Sequence, residues 1–259
     1  HLSHGGRRHC CSNNPHYREY SARIVREMAK EFGQDKNVIG WQIDNEIYQV
    51  NDGCFCPHCR RAFVEKLKEK FGAVDRLNES WNLNLFSQWY DSFEDIPAPS
   101  HAWHNPHLIM EWNIFQGESH VDFVSMQADI LHEYTKVPVG TDTMPFNGIN
   151  YRDMLQKLDI AQFNHYNTPE NLHACALWFD YLRTLKDRPF WNTETAACWN
   201  GSVSIGQSLK PEGYNRVNSW MPIALGGEAN MYWLWRTHWA GHELMHGAVI
   251  DTCGRPMVT

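Results

Sequence analysis

The chain has 259 residues, a formal net charge of −7, 42% hydrophobic residues and 20% charged residues. That length suits one (β/α)8 barrel with an ample core, and the composition is that of an ordinary soluble globular protein. No basic run is present to neutralise phosphates, which argues against a nucleic-acid partner, and no apolar stretch approaches the roughly 18 residues of a membrane span.

The pattern along the chain alternates short apolar runs with amphipathic helices. The sequence opens at His1 without a Met, in a Gly/Arg-rich stretch, so a missing natural N-terminus is expected. Tyr17 to Phe32 reads as a helix with Ile24, Val25, Met28, Ala29 and Phe32 on one face, stopped by Gly33. Asn37 to Ile43 reads as a buried strand ending in Asp44-Asn45-Glu46, and Arg61 to Phe71 as a helix turning Phe63, Val64, Leu67 and Phe71 inward. The Trp- and Asn-rich segment from Asn78 to Trp103 has no clear period and reads as an excursion between a strand and its helix. Leu108 to Thr135 is helical. Further strands are expected at Val137–Thr141, Asp159–Asn164, Pro189–Thr193 and Asn230–Trp235, with helices at Glu170–Leu185 and Gly213–Ala224. Strand alternating with helix predicts a parallel α/β sheet. Five strands are countable, so a closed barrel would have its first strands outside this chain. An open doubly wound sheet competes, without a Gly-x-Gly-x-x-Gly after a strand to support it.

Two carboxylates stand at strand ends in matching contexts, Glu46 after Gly-Trp-Gln-Ile-Asp-Asn and Glu194 after Pro-Phe-Trp-Asn-Thr. In a parallel barrel the C-terminal strand ends converge on one face, where chemistry is done. Glycoside hydrolysis needs two carboxyls flanking the scissile bond, one protonated and one ionised, and a spacing of roughly 5 Å gives retention. Asn45 suits a hydrogen bond to a sugar 2-hydroxyl. The 12 tryptophans fit the same reading, since several exceed what a core needs and flat rings stack on sugars at low entropy cost. Against it stands the ordinary role of a strand-end Glu as a surface or helix-terminal charge.

Trp-Gln-Ile-Asp-Asn-Glu at 41–46, with Gly-Gly-Arg-Arg-His-Cys-Cys upstream and Cys-Phe-Cys-Pro-His-Cys-Arg-Arg-Ala-Phe downstream, resembles glycoside hydrolase family 42, the β-galactosidases. The resemblance covers the chain from Gly5 to Pro256 and implies the catalytic (β/α)8 TIM barrel from just after strand three to just after strand eight, spanning 1–259. It further implies Glu46 as acid/base on strand four, Glu194 as nucleophile on strand seven, Asn45 as the Asn before the acid/base, and Arg7 as a sugar-binding arginine; double displacement by this pair demands a raised pKa at Glu46 and an ordinary one at Glu194. Glu243 and His246 match a Glu-x-x-His motif that holds galactose hydroxyls, and Trp199 matches a stacking Trp at an altered spacing. The implied substrate is a terminal non-reducing β-D-galactoside, the implied assembly a homotrimer, and the implied compartment a bacterial cytoplasm. Two departures stand out: Leu85-Phe86-Ser87-Gln88 has Phe where the family has Trp, and Cys10 stands where Tyr is usual.

Cys54, Cys56 and Cys59 have Cys-x-Cys-x2-Cys spacing, which wraps a soft metal when a fourth ligand closes the tetrahedron. The resemblance supplies that ligand as Cys11 and makes the site a structural zinc. Cys56-Pro57-His58-Cys59 also has the form of a thiol-redox motif, but a third Cys two residues earlier and a loop ahead of it disagree. His242-Glu243-Leu244-Met245-His246 fits the zinc metalloprotease pattern, yet Gly247 would weaken the required helix. Tyr166, after the strand Asp-Ile-Ala-Gln-Phe-Asn, reads as a hydrogen-bond partner of the nucleophile or a sugar hydroxyl, or else as a buried structural tyrosine. His165 stands beside it at the expected pocket, and Trp233 and Trp235 read as site wall or core. A non-enzymatic carbohydrate-binding module is the competing class. It explains the tryptophans and has no need of paired strand-end carboxylates.

Overall fold

A computed structural model describes residues 10–47, 53–100, 102–144, 148–199, 209–244 and 246–257. The chain divides into two compact units, one made of residues 1–34, 48–135 and 147–150, the other of residues 35–47, 136–146 and 151–259.

The first unit is helical. Helix α1 (Pro15–Phe32) starts where the Asn14 side chain accepts from the backbone N–H groups of His16 and Tyr17, with Pro15 at a position whose missing N–H costs nothing. Helices α2 (Pro57–Phe71) and α3 (Val74–Ser80) follow, then the long α4 (Pro106–His132), capped by Asn105. α2 begins earlier than the apolar period predicts, because Pro57 opens the helix before its buried face starts. That face is the expected one: Phe63, Val64 and Leu67 are buried, and Phe63 meets the Trp112 ring edge-on at 4.9 Å. α1 differs from its expectation. Of the predicted face only Ala29 is buried, whereas Ile24, Met28 and Phe32 are 57%, 48% and 44% exposed. The helix meets α4 through a different side, where Tyr17 stacks on Phe123 and Arg18 pairs with Asp122 at 2.8 Å. Periodicity identifies residues that share a face; it does not supply a neighbour to cover it. The aperiodic stretch after α3 holds 3-10 turns at Leu85–Ser87 and Phe93–Asp95. Buried Asn78 ties it down, donating to the Tyr90 carbonyl at 2.8 Å and accepting from the Tyr90 N–H at 3.0 Å.

The second unit is the sheet. β1 (Trp41–Gln42) pairs parallel with β2 (Val139–Gly140). β3 (Asp142–Thr143), β4 (Gln162–His165), β5 (Phe190–Thr195) and β6 (Gly227–Asn230) form a four-stranded parallel sheet in chain order. Only Thr141 separates β2 from β3, so sequence order is spatial order from β1 to β6. A doubly wound sheet would reverse that order at a switch point; a barrel wall does not. Helices α5 (Tyr151–Met154), α6 (Leu172–Leu182) and α7 (Tyr214–Ala224) lie in the crossovers.

The first and last strands depart from expectation. β1 is only two residues long, although Trp41 and Ile43 still donate to the Pro138 and Gly140 carbonyls at 2.8 and 2.9 Å. β6 lies ahead of the predicted Asn230–Trp235, in Gly-Glu-Ala-Asn. Its polar letters carry no apolar signal, and Gly227 lets it approach: a Cβ there would sit 2.9 Å from the Phe190 ring. Trp233 pairs only as an isolated bridge with Ala196, and Trp235 is exposed rather than core.

α6 packs on the sheet through Phe179, which is fully buried, stacks on Phe190 of β5 at 5.2 Å and meets Phe163 of β4 edge-on at 6.0 Å. Phe179→Ala should therefore lower the unfolding free energy by about 3–5 kcal/mol. Urea titration followed by tryptophan fluorescence measures it, and a loss below about 1 kcal/mol would contradict this packing.

Candidate active site

Every described residue of the site lies in the second unit, and strand ends place each one. The ladder stops at Ile43. The chain then turns through Asp44 and Glu46 in left-handed backbone, with φ of 54° and 47°. This conformation costs a non-glycine residue energy and is found where structure over-determines it. The turn drives Glu46 inward, where it is buried, and Asn164 of β4 donates from Nδ2 to Glu46 Oε1 at 2.5 Å. Asn164 is itself the register partner of Glu194 on β5. Neighbouring strands run about 4.8 Å apart and partnered residues face the same side. Two residues past Asn164, the Tyr166 hydroxyl donates to Glu194 Oε1. The end of β4 thus holds both glutamates, one through Asn164 and the other through Tyr166.

The electrostatics follow from burial. Glu194 is pushed up from the ordinary carboxylate range by burial, opposed by the Tyr166 hydrogen bond and aided by the charges of Glu46 and Glu243. Double displacement asks for an ordinary pKa at Glu194, whereas its burial raises it. Burial and the Glu194 charge push the Tyr166 phenol far up, so it remains a donor. Asp142, at the start of β3, is fully buried and is pushed up to about 8 by burial and by the Glu194 and Glu46 charges. It accepts from Thr193 Oγ1 at 3.0 Å.

The remaining predicted residues fall as follows. His246 is buried, and its ring meets Tyr166 edge-on at 5.6 Å. Glu243 is half-buried, and its charge acts on both Glu194 and His246. Asn45 is half-buried, its Oδ1 accepting from Gln42 Nε2 at 3.1 Å. Trp199 accepts from the Gly247 N–H at 2.9 Å, one residue from His246. Arg7 lies outside the described residues. His165 turns to α6 instead of the site: its Nδ1 lies 3.1 Å from Cys175 Sγ, and burial pushes its pKa down to about 4. Residues 241–244 form a turn, with Leu244 and His246 N–H groups bonded to the Gly241 and Glu243 carbonyls, so the metalloprotease pattern lacks its helix.

In the first unit, the sulfurs of Cys11, Cys54, Cys56 and Cys59 all lie within 4.8 Å of one another. Cys11 Sγ is 3.4 Å from Cys59 Sγ and 3.5 Å from Cys56 Sγ. Thiol donors Cys11 and Cys59 drive the Cys54 thiol down to about 2. Phe86 stands exposed against Trp103 at 4.9 Å.

A model of glycoside hydrolase family 42, described as beta-galactosidase, matches residues 1–258. The chain belongs to glycoside hydrolase family 42. It is 34% identical to Beta-galactosidase YesZ of Bacillus subtilis (strain 168) over 99% of its own length and 39% of that protein's. Among solved structures it superposes on the beta-galactosidase of Bacillus circulans sp. alkalophilus with a TM-score of 0.90 and 25% identity, over 98% of this chain and 39% of that one. The beta-galactosidase of the haloarchaeon Halorubrum lacusprofundi gives a TM-score of 0.90 and 30% identity, over 99% and 42% respectively. The fold is accordingly part of a (β/α)8 barrel, and the chain spans well under half the length of these relatives.

Sequence reasoning missed Asn164 and Asp142 in this family 42 chain. Both were findable: Asn164 shares a face with Tyr166 two residues on, and Asp142 is a strand-end acid like the two glutamates. Gly247 also acquires a role, because a Cβ there would fall 2.8 Å from both the Trp199 ring and its backbone nitrogen. Gly247→Ala should displace the turn carrying Glu243 and His246 and destabilise the fold by about 1–3 kcal/mol. An unchanged thermal midpoint would show that the turn yields freely.

Proposed function

We propose that the protein carrying this chain hydrolyses terminal non-reducing β-D-galactosides by double displacement. The Glu194 carboxylate attacks the anomeric carbon while Glu46 gives its proton to the departing glycosidic oxygen. Glu46 then takes a proton from the water that releases galactose and frees Glu194. The observation that carries this reading is the pair of strand-end glutamates held on one face by Asn164 and Tyr166. Family membership supports it, as do relatives named beta-galactosidases. Asn45, Tyr166, Glu243, His246, Trp199 and Arg7 are proposed to bind the sugar, Asn45, Glu243 and His246 through hydroxyls and Trp199 by stacking. Residues 1–259 then belong to a catalytic barrel domain. A non-enzymatic sugar-binding module has no use for two coupled carboxyls. The homotrimer and the cytoplasmic compartment belong to the same reading; among the described residues no helix is long and apolar enough to cross a membrane.

Cys11, Cys54, Cys56 and Cys59 are proposed to hold a structural zinc. A tetrahedral zinc with Zn–S near 2.3 Å places its sulfurs roughly 3.8 Å apart, which fits four sulfurs gathered within 4.8 Å of one another. The ion would supply a cross-link between Cys11 and the 54–59 loop, with no open position for chemistry.

Glu194→Ala in the full-length protein should cut turnover of a nitrophenyl β-galactoside roughly a thousandfold or more, with azide restoring product. A near-wild-type rate refutes the assignment. For the cysteines, elemental analysis should find one zinc per chain in the native protein and less in Cys59→Ser, whose thermal midpoint drops by several degrees. Full stability without metal would dismiss the zinc.

A further inference from the structure

We propose that Asp142 is a positioning residue, a buried neutral carboxylic acid that donates its proton in a hydrogen bond to the Glu194 carboxylate. The proposal rests on Glu194 being the nucleophile. Asp142 is 0% exposed, and it starts β3 in register with Gln162 of β4. Its Oδ1 is satisfied by the Thr193 hydroxyl at 3.0 Å, while its Oδ2 is buried and meets no donor among the described residues. An ionised carboxylate with a buried, undonated oxygen is costly. The Thr193 hydroxyl that holds Asp142 belongs to the residue next to Glu194 on β5, the two carboxyls lie close enough to act on each other's charge, and two carboxyls bond only when one carries a proton.

The proton belongs on Asp142 for two reasons. Glu194 is only half-buried and has the Tyr166 hydroxyl to stabilise its charge, whereas Asp142 is wholly buried. Among the described residues, the groups facing Asp142 are Glu194 from β5, Glu46 from the turn after β1 and the Tyr166 phenol from the end of β4. Burial and the two glutamate charges push Asp142 up to about 8, which favours its protonated form near neutrality. The bond would orient Glu194 and hold it ionised against its own burial.

The experiment compares wild type, Asp142→Asn and Asp142→Ala in the full-length protein, by kcat/KM on a nitrophenyl β-galactoside and by thermal midpoint, each from pH 5 to 9. Asn puts an amide N–H where the acid O–H stands. It should keep kcat/KM within about threefold at pH 6, whereas Ala should lose about tenfold or more. The stability sign follows from linkage. An unfolded Asp releases its proton near ~3.9 and the folded one at about 8. Between these values folding takes up a proton, so the stabilisation present below the lower value is lost as pH rises to the upper one. Asp142→Asn has no such proton, so its midpoint should fall less than wild type's from pH 5 to 8. Equal losses for Asn and Ala, or an Asn midpoint that tracks wild type across this range, would overturn the proposal. If wild type turns over no galactoside, the galactosidase reading fails instead, and the melting curves still decide where the Asp142 proton is.

Discussion

The parallel register between β4 and β5 is the constraint on which the site depends. It sets Asn164 opposite Glu194, and the two-residue period of a strand puts Tyr166 on the same face as Asn164. One strand end can then reach both glutamates, donating an amide N–H to Glu46 and a phenol O–H to Glu194. A one-residue slip would turn Asn164 and Tyr166 away together. The irregularity between Phe163 and Asn164 lies immediately before these donors, in a place where bulges re-aim side chains. The aromatic layer of Phe163, Phe179 and Phe190 beneath this register fixes it by burial. Core packing and site geometry are thus one requirement expressed on two faces of the same strands.

Collecting several carboxyls in one buried place raises an electrostatic problem that the fold meets, among the described residues, with hydroxyl and amide donors. Like charges at close range cannot all remain ionised. Thr193 and Tyr166 lower the cost for their partners, and the most buried acid, Asp142, is the one pushed furthest toward neutrality. Aspartate at this position is therefore chemically different from the glutamates around it, although sequence shows three acids of one kind. Desolvation supplies the difference, and it acts in proportion to how completely each side chain is covered.

Much of this was legible in the letters. Glu46, Glu194 and Tyr166 are legible as candidates because a strand-end polar residue after an apolar run has a distinctive context, and Cys54, Cys56 and Cys59 because their spacing is short and regular. What the letters hid depends on contacts between distant segments. β6 was misplaced because Gly-Glu-Ala-Asn has no apolar period, its position being set by Gly227 against Phe190. His165 was assigned to the site by adjacency to Tyr166, but successive strand residues point to opposite faces, and its ring turns to Cys175 and Phe179. The apolar stripe of α1 does share one side of the helix, yet only Ala29 of it is buried, because a pattern carries no information about whether a neighbour exists.

The two ends of the strand order bear on how the candidate site holds together. β1 and β6 end the strand order at its two edges among the described residues, and unpaired parallel edges are rare outside covered or closed sheets. Family 42 relatives extend well beyond the length matched here, and a barrel closes by pairing its first strand with its last. Glu46 sits in a left-handed turn directly after β1, a two-residue strand at an edge. The Asn164 hydrogen bond ties it to β4, whereas Glu194 lies within β5, an interior strand of the four-stranded sheet. If Glu46 exchanges the proton and Glu194 attacks, as proposed, the interior strand carries the group that must hold its aim on a single carbon, and the turn after the edge strand carries the one that meets two partners in succession.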